Sequence, residues 1–233
     1  MRMTPVLLAL PFVFMLGVRP APSAPPLAEK VAKAYGVDKF DTIDAIKFTF
    51  NIQKGDVHVK REWTWEPLTR KVTFHGKGAS GDTMTYSYDQ SAVDTTNVDM
   101  KFVDPRFVND QYWLLFPFHL KWDDMAKIEA TGQDSLPMGS GMAERLVVSY
   151  PQAGGYSPGD VYELFVGPDQ MITHWIFRPG GSTTDQLPFS WSGNVKVGPI
   201  TVSTDHLSPD GSFHLYFTDV AVRLKGKSEW IRG

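Results

Sequence analysis

Alternation of apolar and polar side chains between Ile46 and Trp65 constrains this chain more than any other feature. Ile46, Phe48, Phe50 and Ile52 alternate with Lys47, Thr49, Asn51 and Gln53. After a Lys54-Gly55-Asp56 turn, Val57, Val59, Arg61, Trp63 and Trp65 alternate with His58, Lys60, Glu62 and Thr64. Successive residues of a strand point to opposite faces, so both runs fit a hairpin with one apolar face. Pro67 closes the second strand, because proline cannot donate to a sheet ladder. The meander continues through Val72 and Phe74, then Met84, Tyr86 and Tyr88.

Further strands follow at Ala126 to Thr131, Glu144 to Tyr150 and Val161 to Val166. A Gly167-Pro168-Asp169 turn then leads into Met171, Thr173, Trp175 and Phe177. The last third adds Phe189, Trp191, Val195 and Val197, then Ile200 and Val202. The Pro209-Asp210-Gly211 turn precedes Phe213, Leu215, Phe217 and the run to Val222. Helical patterns do not alternate with these strands, which excludes an α/β layout. The expected fold is mainly β, an incomplete antiparallel β-barrel or strongly curved sheet of about ten strands covered by two or three short helices.

Two helices are expected. Leu27 to Tyr35 places Leu27, Val31 and Ala34 on one face, and Gly36 ends it. The second runs from Asp104, as N-cap, and Pro105, as first helical residue, toward Leu120. Val108, Tyr112 and Leu115 recur at helical spacing, broadened by Phe107, Trp113, Leu114 and Phe116. Pro117 is expected to stop it. Such an aromatic helix inside a β chain covers something apolar, as a lid or plug, or as a crossover helix capping an ordinary core.

Residues 1–24 read as an export signal, with Arg2, an apolar run from Val6 to Val18, and small residues at Ala21, Ser23 and Ala24. That run falls short of the roughly 20 residues needed to span a bilayer. Residues 25–233 are expected to form one domain, monomeric, in the periplasm or secreted. There are no cysteines, which excludes disulfides, thiolate metal sites, a cysteine nucleophile and a lipid-modified cysteine. A net charge of −3 with interspersed signs argues against nucleic acid as a partner.

Catalytic and cofactor motifs are not found. Gly76, Gly78 and Gly81 match G-x-G-x-x-G, but a strand pattern follows where a phosphate site needs a helix. The motif is therefore read as a hairpin loop, and no cofactor is expected. The histidines show no metal-ligand spacing; His58, His174 and His214 fall on faces opposite the aromatic ones. A site assembled from distant His and Asp residues, as in an exported hydrolase, remains the alternative.

Two features stand out. The chain has seven Trp, fifteen Phe and eight Tyr. Strand parity gathers Phe48, Phe50, Trp63, Trp65, Tyr86, Trp175, Phe177, Phe189 and Trp191 on one side, with Tyr112, Trp113 and Phe116 of the helix to face them. They either fill a core or wall a cavity for an acyl chain, whose burial contributes about 0.8 kcal/mol per methylene. Arg61 has the same parity. Inside, it needs an acid or a carbonyl; reaching water at the sheet rim is the simpler expectation.

An export signal, a short helix, Ile46-Lys47-Phe48-Thr49-Phe50-Asn51-Ile52-Gln53, and a strand with Trp63, Trp65 and Pro67 together resemble the periplasmic carriers of outer-membrane lipoproteins and the related sorting proteins. Asn109-Asp110-x-Tyr112-Trp113-Leu114-Leu115-x-Pro117 and Gly159-Asp160-x-Tyr162 resemble members of that wider group. The resemblance implies an incomplete barrel closed by helices, with an apolar cavity that receives acyl chains. It also implies a non-catalytic protein, with lipid or lipoprotein acyl chains and envelope proteins as partners. Those carriers place a lid-holding arginine just before the strand-two proline; here Glu66 occupies that position, and Arg61 does not match it. A purely structural envelope module that binds protein at an edge strand is the third reading.

Overall fold

The computed structural model describes residues 24–233; the expected export signal, apart from Ala24, lies outside them. Helix α1 (Pro26–Tyr35) starts on the paired prolines Pro25 and Pro26 and ends at Gly36, whose φ of 92° is open to glycine without strain. It buries Ala28, Val31, Ala32 and Tyr35; Ala34 of the expected face is exposed and Leu27 half-buried. The Tyr35 side chain turns inward, where its hydroxyl accepts the Ile172 amide at 3.1 Å.

Strands β1 (Ile43–Lys54), β2 (Val57–Glu66), β3 (Lys71–Lys77) and β4 (Thr83–Asp89) form the expected meander. Phe48 pairs with Trp63, and Trp63 with Phe74, so the apolar face is continuous across three strands. Strands β5 (Lys127–Ser135), β6 (Met142–Ser149), β7 (Val161–Val166), β8 (Ile172–Arg178) and β9 (Leu187–Ser190) form a second antiparallel sheet. Strands β10 (Ser192–Val197), β11 (Ile200–Leu207), β12 (Phe213–Leu224) and the short β13 (Trp230–Arg232) rejoin the first, in the order β10-β11-β12-β1-β2-β3-β4.

The chain crosses between sheets at Trp191, one residue separating β9 from β10. Its amide bonds Thr173 of β8 at 2.7 Å, and Ser190 Oγ accepts the Leu207 amide of β11 at 2.9 Å. The two sheets, bridged at this crossing, form a strongly curved, unclosed barrel. Among the described residues the strands number thirteen, in two sheets, where the sequence suggests about ten.

Helix α2 (Val98–Trp122) links one edge strand of each sheet, β4 and β5. It is longer than the sequence suggests. Asn97 caps it by accepting the Met100 amide at 2.9 Å, while Asp104 lies inside and is buried. Pro117 does not stop it. The backbone departs from helical geometry at Leu115 (φ −116°, ψ 16°) and then resumes, as expected where a proline removes an amide donor and crowds the preceding turn. Packing outweighs that cost: Phe118 and Leu120 are buried, and Trp122 meets Phe40 with ring centroids 4.7 Å apart.

Candidate functional site

All twelve aromatic residues assigned to the apolar cavity belong to one packed cluster. Phe48, Phe50, Trp63, Phe116, Trp175, Phe189 and Trp191 are buried; Trp65, Tyr86, Tyr112, Trp113 and Phe177 pack against them partly exposed. Helix α2 supplies the contacts that join the two sheets. Trp113 lies 4.2 Å from Trp175 and 5.1 Å from Phe189, while Phe107 lies 5.3 Å from Trp63. The concavity is therefore occupied by the chain's own rings. Two clefts stay open beside these rings: one of about 130 Å³ between α2 and β7–β8, lined in part by Tyr112, Trp113, Tyr156, Trp175 and Phe177, and one of about 460 Å³ at the C-terminal end of α2, lined in part by Tyr112, Trp122, Asp123, Tyr150 and Tyr156.

Three carboxylates attach α2 to its surroundings. Asp110 is fully buried and takes both forks of Arg61, Nε at 2.6 Å and Nη2 at 2.7 Å. The Trp63 indole donates to it at 2.8 Å and the Asn109 amide at 3.0 Å. Burial pushes the Asp110 carboxyl up, against the opposing pull of Arg61, Asn109 and Trp63. Every one of these partners is a donor, so the contact is built to hold a carboxylate. Arg61 also stacks over Phe50 at 4.5 Å. It pairs inward rather than reaching water, and it, not Glu66, ties β2 to the helix.

Near its N-terminal end, α2 presents Asp104 to the hydroxyls of Tyr88, at 2.7 Å, and Tyr156. At its C-terminal end, Asp123 accepts from Tyr112 at 2.7 Å and from Tyr150 at 2.6 Å, and lies 2.9 Å from His119 Nδ1. Burial, with the neighbouring carboxylate adding to it, pushes Tyr88, Tyr112 and Tyr156 up, so all three remain neutral donors. Asp123 is held low: burial works against the charge, but His119, Tyr150 and Tyr112 outweigh it.

Neither His–carboxylate contact resembles a nucleophile–base pair. The second ring nitrogen of His119 meets Gln111. His214 and Ser192 both bond Asp205, so the carboxylate stands where an imidazole base would be needed. Among the described residues, no three His, Cys, Asp or Glu side chains gather as metal ligands would. Gly78 and Gly81 lie in a hairpin loop, as expected, closed by the pair Lys77–Thr83, while Gly76 lies within β3 opposite Met84. Sequence reasoning missed Asp110, Asp104, Tyr88, Tyr156, Asp123, Tyr150 and the buried His119 and His206. For Asp110 a signal existed: it falls at helical spacing between Phe107 and Leu114.

No family model matches the sequence, and no curated protein matches it either. Among solved structures, a DUF1329 family protein from Desulfovibrio piger superposes over 88% of this chain and 95% of its own, at 10% identity and a TM-score of 0.45. An outer membrane lipoprotein-sorting protein domain from Vibrio parahaemolyticus covers 87% and 95%, at 8% identity and 0.43. A LolA superfamily protein from Nitrosomonas europaea covers 84% and 93%, at 8% identity and 0.49. Such likenesses concern the chain trace and say nothing of individual side chains.

Proposed function

We propose that this protein is an exported, non-catalytic carrier or sensor of a lipid or lipoprotein acyl chain, seen here closed. The supporting observation is the way α2 fills the concavity. Its aromatic side chains occupy the space of an apolar ligand, yet the helix is tied down by buried carboxylates rather than by apolar contacts alone. A buried ion pair gives little net stability over well-packed apolar residues, and its best-attested use is in registry and switching. On separation both charges regain their hydration, so such a pair suits an element that must leave its seat. The 130 Å³ cleft lies below the roughly 300–1,000 Å³ of ordinary ligand pockets. The neighbouring cleft of about 460 Å³ lies beyond the C-terminal end of α2, so an acyl chain that enters the concavity itself displaces α2, and the distorted turn at Leu115 is where the helix would bend.

Titration with an apolar fluorescent acyl analogue tests this directly. Saturable binding with quenching of tryptophan, and added lipid mass by native mass spectrometry of gently purified protein, are the expected results. Absence of both sinks the carrier reading. The filled interior would then favour a second reading, an envelope module that pairs with protein through the free edges β4 and β5.

A further inference from the structure

Outside the Arg61–Asp110 contact lies a cleft of about 500 Å³, between β2, the β3–β4 hairpin and the N-terminal half of α2. Its charged and titratable lining is His58, Lys60, Arg61, His75, Lys77 and Arg106, with Glu62 the single acid. Lys60 takes up Glu62 at 2.8 Å, and Arg61 is held by Asp110. Among the described residues, no ion pair includes Lys77 or Arg106. This positive surplus sits in a chain whose net charge is −3.

Arg106 is also held in place. It donates to the Phe102 carbonyl at 2.7 Å and its guanidinium lies over the Phe102 ring at 3.6 Å. Burial, then the nearby Arg61, push its pKa down, with only Asp110 acting the other way. Two guanidinium groups thus face one cleft with one carboxylate between them. The neighbouring glycines are explained without a ligand: a Cβ on Gly76 would meet Phe74 and one on Gly78 would meet Met84, while Gly81 takes a φ of 90°. Their amides are also engaged, Gly78 N–H with Asp82 and Gly81 N–H with Gly78. Any anion here is bound by side chains, not by a glycine cradle.

We propose that this cleft binds a phosphate-class anion, a phosphate ester borne by a membrane phospholipid or free in solution, through Arg106, Lys77 and the outer side of Arg61. A planar guanidinium meets two phosphate oxygens at once, and a flanking ammonium adds a point charge. The site stands independently of acyl binding, although Arg61 places it beside the contact that holds α2.

The test is sedimentation with vesicles of phosphatidylcholine, with and without phosphatidylglycerol, beside calorimetric titration with free glycerol phosphate. The expected result is salt-sensitive binding to at least one phosphate source, weakened about tenfold by Arg106→Gln and again by Lys77→Gln. Preference for phosphatidylglycerol vesicles identifies a membrane headgroup; binding of glycerol phosphate without vesicle preference identifies a soluble ester. Should Arg106→Gln fail to fold, Arg106→Lys and the exposed Lys77→Gln decide. No binding to any phosphate, binding indifferent to both substitutions, or preference for polyglutamate over phosphate overturns the proposal. Both variants keep the acyl-analogue response, so loss of this site leaves the carrier reading standing, and the reverse.

Discussion

Asp110 stands where helix periodicity wants an apolar residue, on the stripe of Phe107 and Leu114 that faces β2. Removing its charge leaves the Arg61 guanidinium in a place only 15% exposed. We expect Asp110→Asn to cost about 3 kcal/mol in urea denaturation, and Arg61→Leu to cost more, because it leaves the fully buried partner behind. Equal, negligible losses would show that the pair is not formed. His206 gives a separate, pH-dependent signature. It is fully buried among Trp113, Trp191 and Phe217, with Asp205 and His214 the charged groups nearby, and burial pushes it down to about 3. Between that value and the ordinary 6.5 the unfolded chain binds the extra proton, so stability is full above pH 6.5 and is lost as pH falls. Urea denaturation at pH 7 and pH 5 should show a slope approaching about 1.4 kcal/mol per pH unit, and His206→Phe should flatten it. An unchanged slope in that variant refutes the assignment. The sequence shows His206 only as one of six histidines; its burial depends on β11 meeting α2, a contact between residues nearly a hundred positions apart.

Helix α2 shows at the scale of one element how far local signals reach. Its aromatic stripe is plain from residue spacing, and the helix is where that stripe says. Both boundaries differ. Asp104-Pro105 reads as an N-cap and first turn, yet Asp104 is consumed by Tyr88 and Tyr156, one from β4 and one from the loop before β7. Pro117 reads as a stop, yet burial of Phe118 and Leu120 carries the helix past it. Tertiary partners decide both cases, and local spacing does not contain them. Strand alternation fares better because the period of two fixes both face and register: β1 and β2 pair Phe48 with Trp63 and Phe50 with Arg61, as parity requires. If α2 leaves its seat without unfolding the sheets, its amides should exchange through a sub-global opening, faster than those of Phe48 and Phe50 in β1. Asp110→Asn should speed exchange in α2 and leave β1 little changed. Identical protection in both, moving together in the variant, would mark α2 as a fixed part of the core.

The described residues form two curved sheets, and one helix that joins β4 of the first to β5 of the second fills the concavity. On the carrier reading, closed and open states differ mainly in where α2 lies, and ligand affinity depends on the fraction of molecules that are open. Substitutions at the Arg61–Asp110 contact should shift that fraction in opposite directions. Asp110→Asn weakens only the closed state, so the acyl analogue should bind about ten- to a hundredfold more tightly even as the fold loses stability. Arg61→Leu combined with Asp110→Leu does the reverse. It replaces a buried ion pair by apolar surface, a change that is often neutral or stabilising by about 1–4 kcal/mol. Opening would then expose two leucines to water instead of restoring hydration to two charges. The Trp63 indole loses its acceptor in this variant, which offsets part of that gain, so the double variant should melt close to the wild type and bind the acyl analogue more weakly. In a permanently filled core neither substitution affects binding, and the single and double variants differ in stability alone. Stability and affinity that move oppositely across the three proteins are the mark of a latch; if they move together, α2 is not the gate.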